Sequence, residues 1–144
     1  LLDDWQLPCW LELFSSDAKY LVHPLDYPSG EAPADALFLV SDDRHRLESR
    51  VEQLCGKTSW AENPRSRTRR LITNFRAEPM PDHLVKARAN FAVWRFKNDC
   101  TDVYVGRYDY LLERADGGRL RIRERHVRLD LESLRPQGKL SFIL

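Results

Sequence analysis

Cysteine is scarce in this chain: Cys9, Cys55 and Cys100 are scattered along 144 residues, and no two are spaced C-x-x-C. An odd, dispersed set argues against a disulfide framework and against a zinc site. It fits structural thiols, buried as small hydrophobes, in a reducing cytoplasm. No apolar run approaches the roughly 20 residues that a membrane span needs. Charge of one sign is also missing, since 23 basic and 22 acidic side chains leave a formal net charge of +1. The chain as a whole therefore has no field that would draw it to nucleic acid. No secretory leader, internal repeat or low-complexity tract is read.

What remains is a chain with 42% hydrophobic and 31% charged residues, the balance of a folded domain. Its length suits one domain over residues 1–144 with one core. It opens at Leu1 without Met, in what reads as the tail of a helix holding Leu1, Leu2 and Trp5, so further sequence is expected before it. Pro8 suits the first turn of a second helix whose apolar side is Trp10, Leu11, Leu13 and Phe14, ended by Ser15-Ser16-Asp17. Ala18–His23 reads as a strand stopped by Pro24, and the Pro-, Gly- and acid-rich stretch from Asp26 to Asp35 as an exposed loop. Leu37–Val40 is a further short strand. Ser41 or Asp42 is expected to cap a helix with acids in its first turn, whose buried stripe is Leu47, Val51, Leu54 and Cys55. Gly56 follows as a left-handed end residue.

After Pro64 the period changes to two. Leu71, Thr73, Phe75 and Ala77 alternate with Arg70, Ile72, Asn74 and Arg76. Val85–Asn98 and Thr101–Ala115 are long strands, Asp116-Gly117-Gly118 a tight hairpin, and Arg119–Ser133 a last strand. In that strand Leu120 and Ile122 set the apolar face on even positions, whereas Val127, Leu129 and Leu131 set it on odd ones. A β-bulge between Glu124 and Val127 is therefore expected, bending the sheet. Helices followed by long antiparallel strands predict an α+β fold, helices packed in the concavity of a strongly curved, mainly antiparallel sheet.

The segments L-L-D-D-W, W-L-E-L-F-S-S-D-A-K-Y-L-V, D-D-R-H-R-L-E-S-R-V-E-Q-L, W-A-E-N-P-R-S-R-T-R-R-L-I-T-N-F, N-F-A-V-W-R-F, D-V-Y-V-G-R-Y-D-Y-L-L and the closing F-I-L cover nearly the whole chain. In this order the chain closely resembles the small (β) subunit of the aromatic-ring-hydroxylating dioxygenases, the Rieske non-haem iron oxygenases. The W-A-E-x-P-x-S-R-T-R segment is the most specific of these marks. The resemblance implies the cone fold of nuclear transport factor two, ketosteroid isomerase and scytalone dehydratase. It implies a structural role with no catalytic residue and no cofactor on this chain. The 2Fe–2S Rieske cluster and the mononuclear iron would sit on a partner α subunit, in an assembly of three α and three β subunits fed with electrons from NADH. Consistently, no Cys has a His within three residues, and His23, His45, His83 and His126 lie far apart in sequence.

Interface candidates are Trp60, Glu62 and the ladder Arg65, Arg67, Arg69 and Arg70, because a planar guanidinium pairs bidentately with carboxylates and Trp anchors contacts. The alternative for the ladder is a solvated strand edge, and for Trp60 a place in the chain's own core. Trp5, Trp10 and Trp94 are expected in the core. A second functional reading is a free-standing lyase or isomerase with a carboxylate or His base, drawn from Asp109, Glu124, His126, Tyr104 and Tyr108. Tyr104, Tyr108 and Tyr110 share one strand parity and Asp109 the other, which separates a Tyr from that acid. A small homodimeric binding module is the third.

Overall fold

The computed structural model describes residues 1–26, 37–56, 62–134 and 140–144. The elements are α1 (Leu7–Leu11), β1 (Phe14–Val22), β2 (Val40–Asp43), α2 (Arg44–Cys55), β3 (Arg67–Pro79), β4 (Leu84–Lys97), β5 (Cys100–Arg114) and β6 (Leu120–Leu129). The strands form one sheet in the order β2-β1-β6-β5-β4-β3. Only β1 with β6 is parallel among these neighbours. The architecture is the α+β arrangement expected from the pattern. Asn98 and Asp99, at φ 50° and 59°, turn β4 into β5 in the two-residue loop geometry whose twist matches the strands. Gly117 and Gly118, both at φ 76°, lie in the longer turn between β5 and β6.

One core joins Leu47, Val51 and Leu54 of α2 to Trp10, Phe14, Tyr20, Phe91, Val93, Tyr104 and the chain-end residues Phe142, Ile143 and Leu144. Cys55 is exposed and leaves the expected stripe; Cys9 and Cys100 are exposed as well, so none is a buried thiol. Gly56 is extended at φ −72° and ψ 152°, not left-handed. The cap of α2 is Asp43, whose carboxylate accepts the Arg46 N–H at 2.9 Å. Ser41 and Asp42 belong to β2, which lies later than the expected Leu37–Val40, and Asp42 is buried against the Arg50 guanidinium. The acids therefore precede the helix instead of filling its first turn.

The N-terminal reading also changes. Leu1–Trp5 turns without forming a helix, and the Trp5 indole donates to the Ser66 carbonyl at 2.9 Å. The helix at Pro8 ends at Leu11, and β1 starts at Phe14, so Ser15-Ser16-Asp17 are strand. The Ile122 N–H donates to the Leu13 carbonyl at 2.7 Å, and this long-range pairing overrides the local polar stop. The Asp26–Asp35 loop lies outside the described residues after Asp26.

On β3 the expected phase is wrong before residue 74. Thr68 is buried, Arg70 opposes buried Val93, and Ile72 opposes buried Phe91, so even positions face inward. An extra β3 residue between the pairs Thr73↔Asn90 and Arg76↔Arg88, with Asn74 at φ 51°, resets the phase so that Ala77 opposes buried Ala87. β6 has its bulge one step earlier than expected. Leu112 opposes Ile122 while Leu111 opposes Glu124, which leaves Arg123 as the extra residue. Beyond it the odd positions Arg125, Val127 and Leu129 are buried.

Gly106 of β5 faces Leu129, and a Cβ placed there would sit 2.0 Å from the Arg128 carbonyl oxygen. Backbone cannot yield as a flexible side chain does. Gly106→Ala should therefore lower stability by on the order of 2–3 kcal/mol in chemical denaturation, with an unchanged slope.

Candidate functional site

The arginine ladder divides by strand parity. Arg65, Arg67 and Arg69 are exposed, and among the described residues none makes an ion pair; Arg65 lies 5.2 Å over the Trp5 ring. Arg70 turns inward. Its guanidinium bonds Asp3 and the Ile143 carbonyl and reaches Thr68 Oγ1 at 2.9 Å, tying the first turn and the chain end to β3. Glu62 does not face the ladder. Its enclosed carboxylate accepts the Ser66 N–H at 3.0 Å, Ser66 Oγ at 2.7 Å, Arg95 at 2.7 Å and Ser141 Oγ at 2.6 Å. Burial pushes its pKa up, but the bonds from Ser141, Ser66 and Arg95 outweigh burial and hold it below the usual range. Trp60 lies outside the described residues.

The interior face carries the tyrosines. Tyr20 and Tyr104 are fully buried, and burial pushes both to about 12, so they stay neutral phenols. Arg125, also buried, is enclosed by aromatic faces: its guanidinium carbon lies 4.4 Å from the Tyr108 ring centre, 5.4 Å from Tyr110 and 5.5 Å from Trp10. It donates to the Leu144 carbonyl at 2.6 Å. The sequence signal for this residue was available, since the odd phase of Val127 and Leu129 extends back to Arg125. An apolar hollow of about 490 Å³ opens beside it, walled by Ile72, Phe75, Tyr110 and Ile122, and among the described residues no carboxylate or histidine lines it.

The acids and histidines proposed as bases are on the opposite face. Register sets Arg88 of β4 beside Asp109 of β5 and Asp109 beside His126 of β6; one row on, Arg107 faces Arg128. The Asp109 carboxylate takes Nε of Arg88 at 2.7 Å, of Arg107 at 3.2 Å and of Arg128 at 3.3 Å. Burial would raise its pKa, but these guanidiniums hold it low.

His23 and His126, distant in sequence, meet at 2.9 Å between Nε2 and Nδ1. Arg128 reaches His23 Nδ1 at 3.1 Å and Glu124 lies 3.0 Å from His126 Nε2. A guanidinium can only donate and a carboxylate only accept. The chain is therefore directed: Arg128 to His23 Nδ1, His23 Nε2–H to His126 Nδ1, His126 Nε2–H to Glu124. Each imidazole lone pair is used, and among the described residues no three His, Cys, Asp or Glu side chains are grouped as a metal would require.

Burial, with Arg128 and His126 beside it, draws His23 from 6.5 down to about 4. Its protonation opposes folding. Above 6.5 both folded and unfolded states are neutral, and between 6.5 and 4 only the unfolded state binds the proton. Stability should thus fall with decreasing pH across that window, by up to ~1.4 kcal/mol per unit. His23→Gln should flatten this slope in denaturation curves taken from pH 7 to 4.5; an unchanged slope would place the titration elsewhere.

Comparison with known proteins accounts for the whole chain. The family model described as ring hydroxylating beta subunit matches residues 1–136. The small oxygenase component of the p-cumate 2,3-dioxygenase system of Pseudomonas putida is 44% identical over 144 residues, covering all of this chain and 79% of that protein. A naphthalene 1,2-dioxygenase structure superposes with a TM-score of 0.84 at 24% identity, over all of this chain and 78% of its own. The beta subunit of benzoate 1,2-dioxygenase from Burkholderia mallei does so at 0.74 and 24% identity, over 99% and 88%. The chain belongs to the family of ring-hydroxylating dioxygenase beta subunits, the small subunits that associate with an α oxygenase subunit.

Proposed function

We propose that this chain is a non-catalytic, structural β subunit. It holds three α subunits in register within an assembly of three α and three β chains in the cytoplasm. The α subunits would carry the 2Fe–2S Rieske cluster and the mononuclear iron, and would insert O₂ into an aromatic ring during aromatic catabolism with electrons from NADH. The observation that carries this reading is the separation of chemistry by face. Among the described residues the apolar hollow holds tyrosines and arginine without a carboxylate or histidine, while Asp109, Glu124 and His126 lie on the other face, Asp109 paired with three guanidiniums and His126 bonded through both ring nitrogens. A lyase or isomerase needs a base and a polarising group on one substrate.

Edge strand β3 presents Arg67 and Arg69 outward with Arg65 just before it, and guanidiniums that make no ion pair among the described residues suit contact with neighbouring α or β subunits. Exposed Leu71 continues the same edge. The native mass and iron content of the particle purified from cells expressing both chains test this proposal. A six-chain particle with iron accompanying only the larger chain is expected; an iron-bearing or solitary β chain would refute it. R65E/R67E/R69E should leave the β chain's melting temperature within a few degrees and weaken assembly by roughly tenfold or more.

A further inference from the structure

The outer face of the sheet is more than the reverse of the core. Sheet register stacks three rows across β3, β4, β5 and β6: Glu78–Lys86–Leu111–Glu124, then Arg76–Arg88–Asp109–His126, then Thr73–Asn90–Arg107–Arg128. Two hollows, of about 450 and 480 Å³, run side by side over these rows and share Lys86, Arg88 and Arg107. Arg76, Lys86, Arg88, Arg107 and Arg128 supply positive charge against Glu78, Asp109 and Glu124.

The arrangement leaves cationic capacity unused. Asp109 is one carboxylate serving three guanidiniums, each through its Nε. Among the described residues the terminal amino groups of Arg88 and Arg107 make no hydrogen bond, and Arg76 and Lys86 make no ion pair. Asp109 thus holds the two forks by their Nε atoms, and both arginines line the two hollows. Such oriented donors suit carboxylate oxygens. The face is cationic in excess, so a copy offering the same face in a two-fold pairing would be repelled, and the partner it fits is an acidic surface.

We propose that this outer face is a docking surface for an acidic patch of the α subunit, whose carboxylates enter the two hollows and bind Arg88, Arg107, Arg76 and Lys86. The proposal rests on the subunit reading above and names the face that meets α. The test is the dissociation constant of the α–β complex, measured by titrating α onto immobilised β at several salt concentrations. Arg76→Glu with Lys86→Glu removes charge from groups that make no ion pair among the described residues, so the β chain should retain its melting temperature. Arg119→Glu with Arg121→Glu makes the same change in net charge at exposed positions beside the β5–β6 turn.

The expected result is a dissociation constant raised roughly tenfold by R76E/K86E near 0.1 M salt, with a shallower salt dependence, and changed less than about twofold by R119E/R121E. Equal weakening by both pairs would reduce the effect to net charge and overturn the surface. Affinity and salt dependence unaltered by R76E/K86E would overturn it too, while the subunit reading stood. Failure of the unsubstituted chain to associate with α at all would overturn both.

Discussion

The extra residue Arg123 in β6 is the constraint on which both faces of the sheet depend. Without it the even phase of Ile122 would continue, turning Glu124, His126 and Arg128 into the core and Val127 and Leu129 out to solvent. One inserted residue reverses every later side chain. It gives the core Val127 and Leu129, and it seals Arg125 beneath Trp10, Tyr108 and Tyr110. It also delivers Glu124, His126 and Arg128 to the outer face, where the histidine chain and the Asp109 cluster form. Interior packing and exterior electrostatics are thus consequences of the same backbone irregularity.

The buried ionic groups fix connections more than they add stability. An enclosed carboxylate such as Glu62 loses hydration, and its attraction to Arg95 only partly offsets that loss. Four donors to one carboxylate, however, permit one arrangement of Ser66, Arg95 and Ser141. Arg70 does the same for Asp3 and Ile143, and Arg125 for Leu144. The first turn is clamped to edge strand β3, and the chain end to β3, β4 and β6. Register within the sheet is set by its buried apolar face, and these clamps fix where the two ends attach to it.

Most of the fold was legible in the sequence where one local rule governed. The period-two runs of β4 and β5, the Asp116-Gly117-Gly118 hairpin and the Leu47, Val51, Leu54 stripe each follow from spacing. The parity change in β6 announced a bulge, although not its residue. What escaped was decided over long distances. Ser15-Ser16-Asp17 is strand because β6 lies beside it, and Leu71 is exposed because β3 is an edge strand bulged at Asn74. The meeting of His23 with His126 depends on the parallel pairing of β1 and β6, to which neither local sequence points. Glu62 and Arg70 look like surface charges in the string; only their enclosure by Ser141 and by the first turn shows otherwise.

The division of labour between faces bears on the structural role proposed for this chain. A catalytic base needs an accessible lone pair and a pKa near working pH. Here Asp109 is held low by three guanidiniums, His23 is drawn to about 4, and His126 spends both nitrogens on its neighbours. Asp109 and His23 are thus fixed in charge across the neutral range, and hydrogen bonds fix all three side chains in direction. Fixed, oriented charge is poorly suited to moving protons and well suited to recognising a fixed partner. The cone's other face repeats the logic, since phenols raised to about 12 remain neutral and fill space. On both sides the titrating chemistry has been converted into geometry, which is what a subunit needs if its task is to keep other subunits in place.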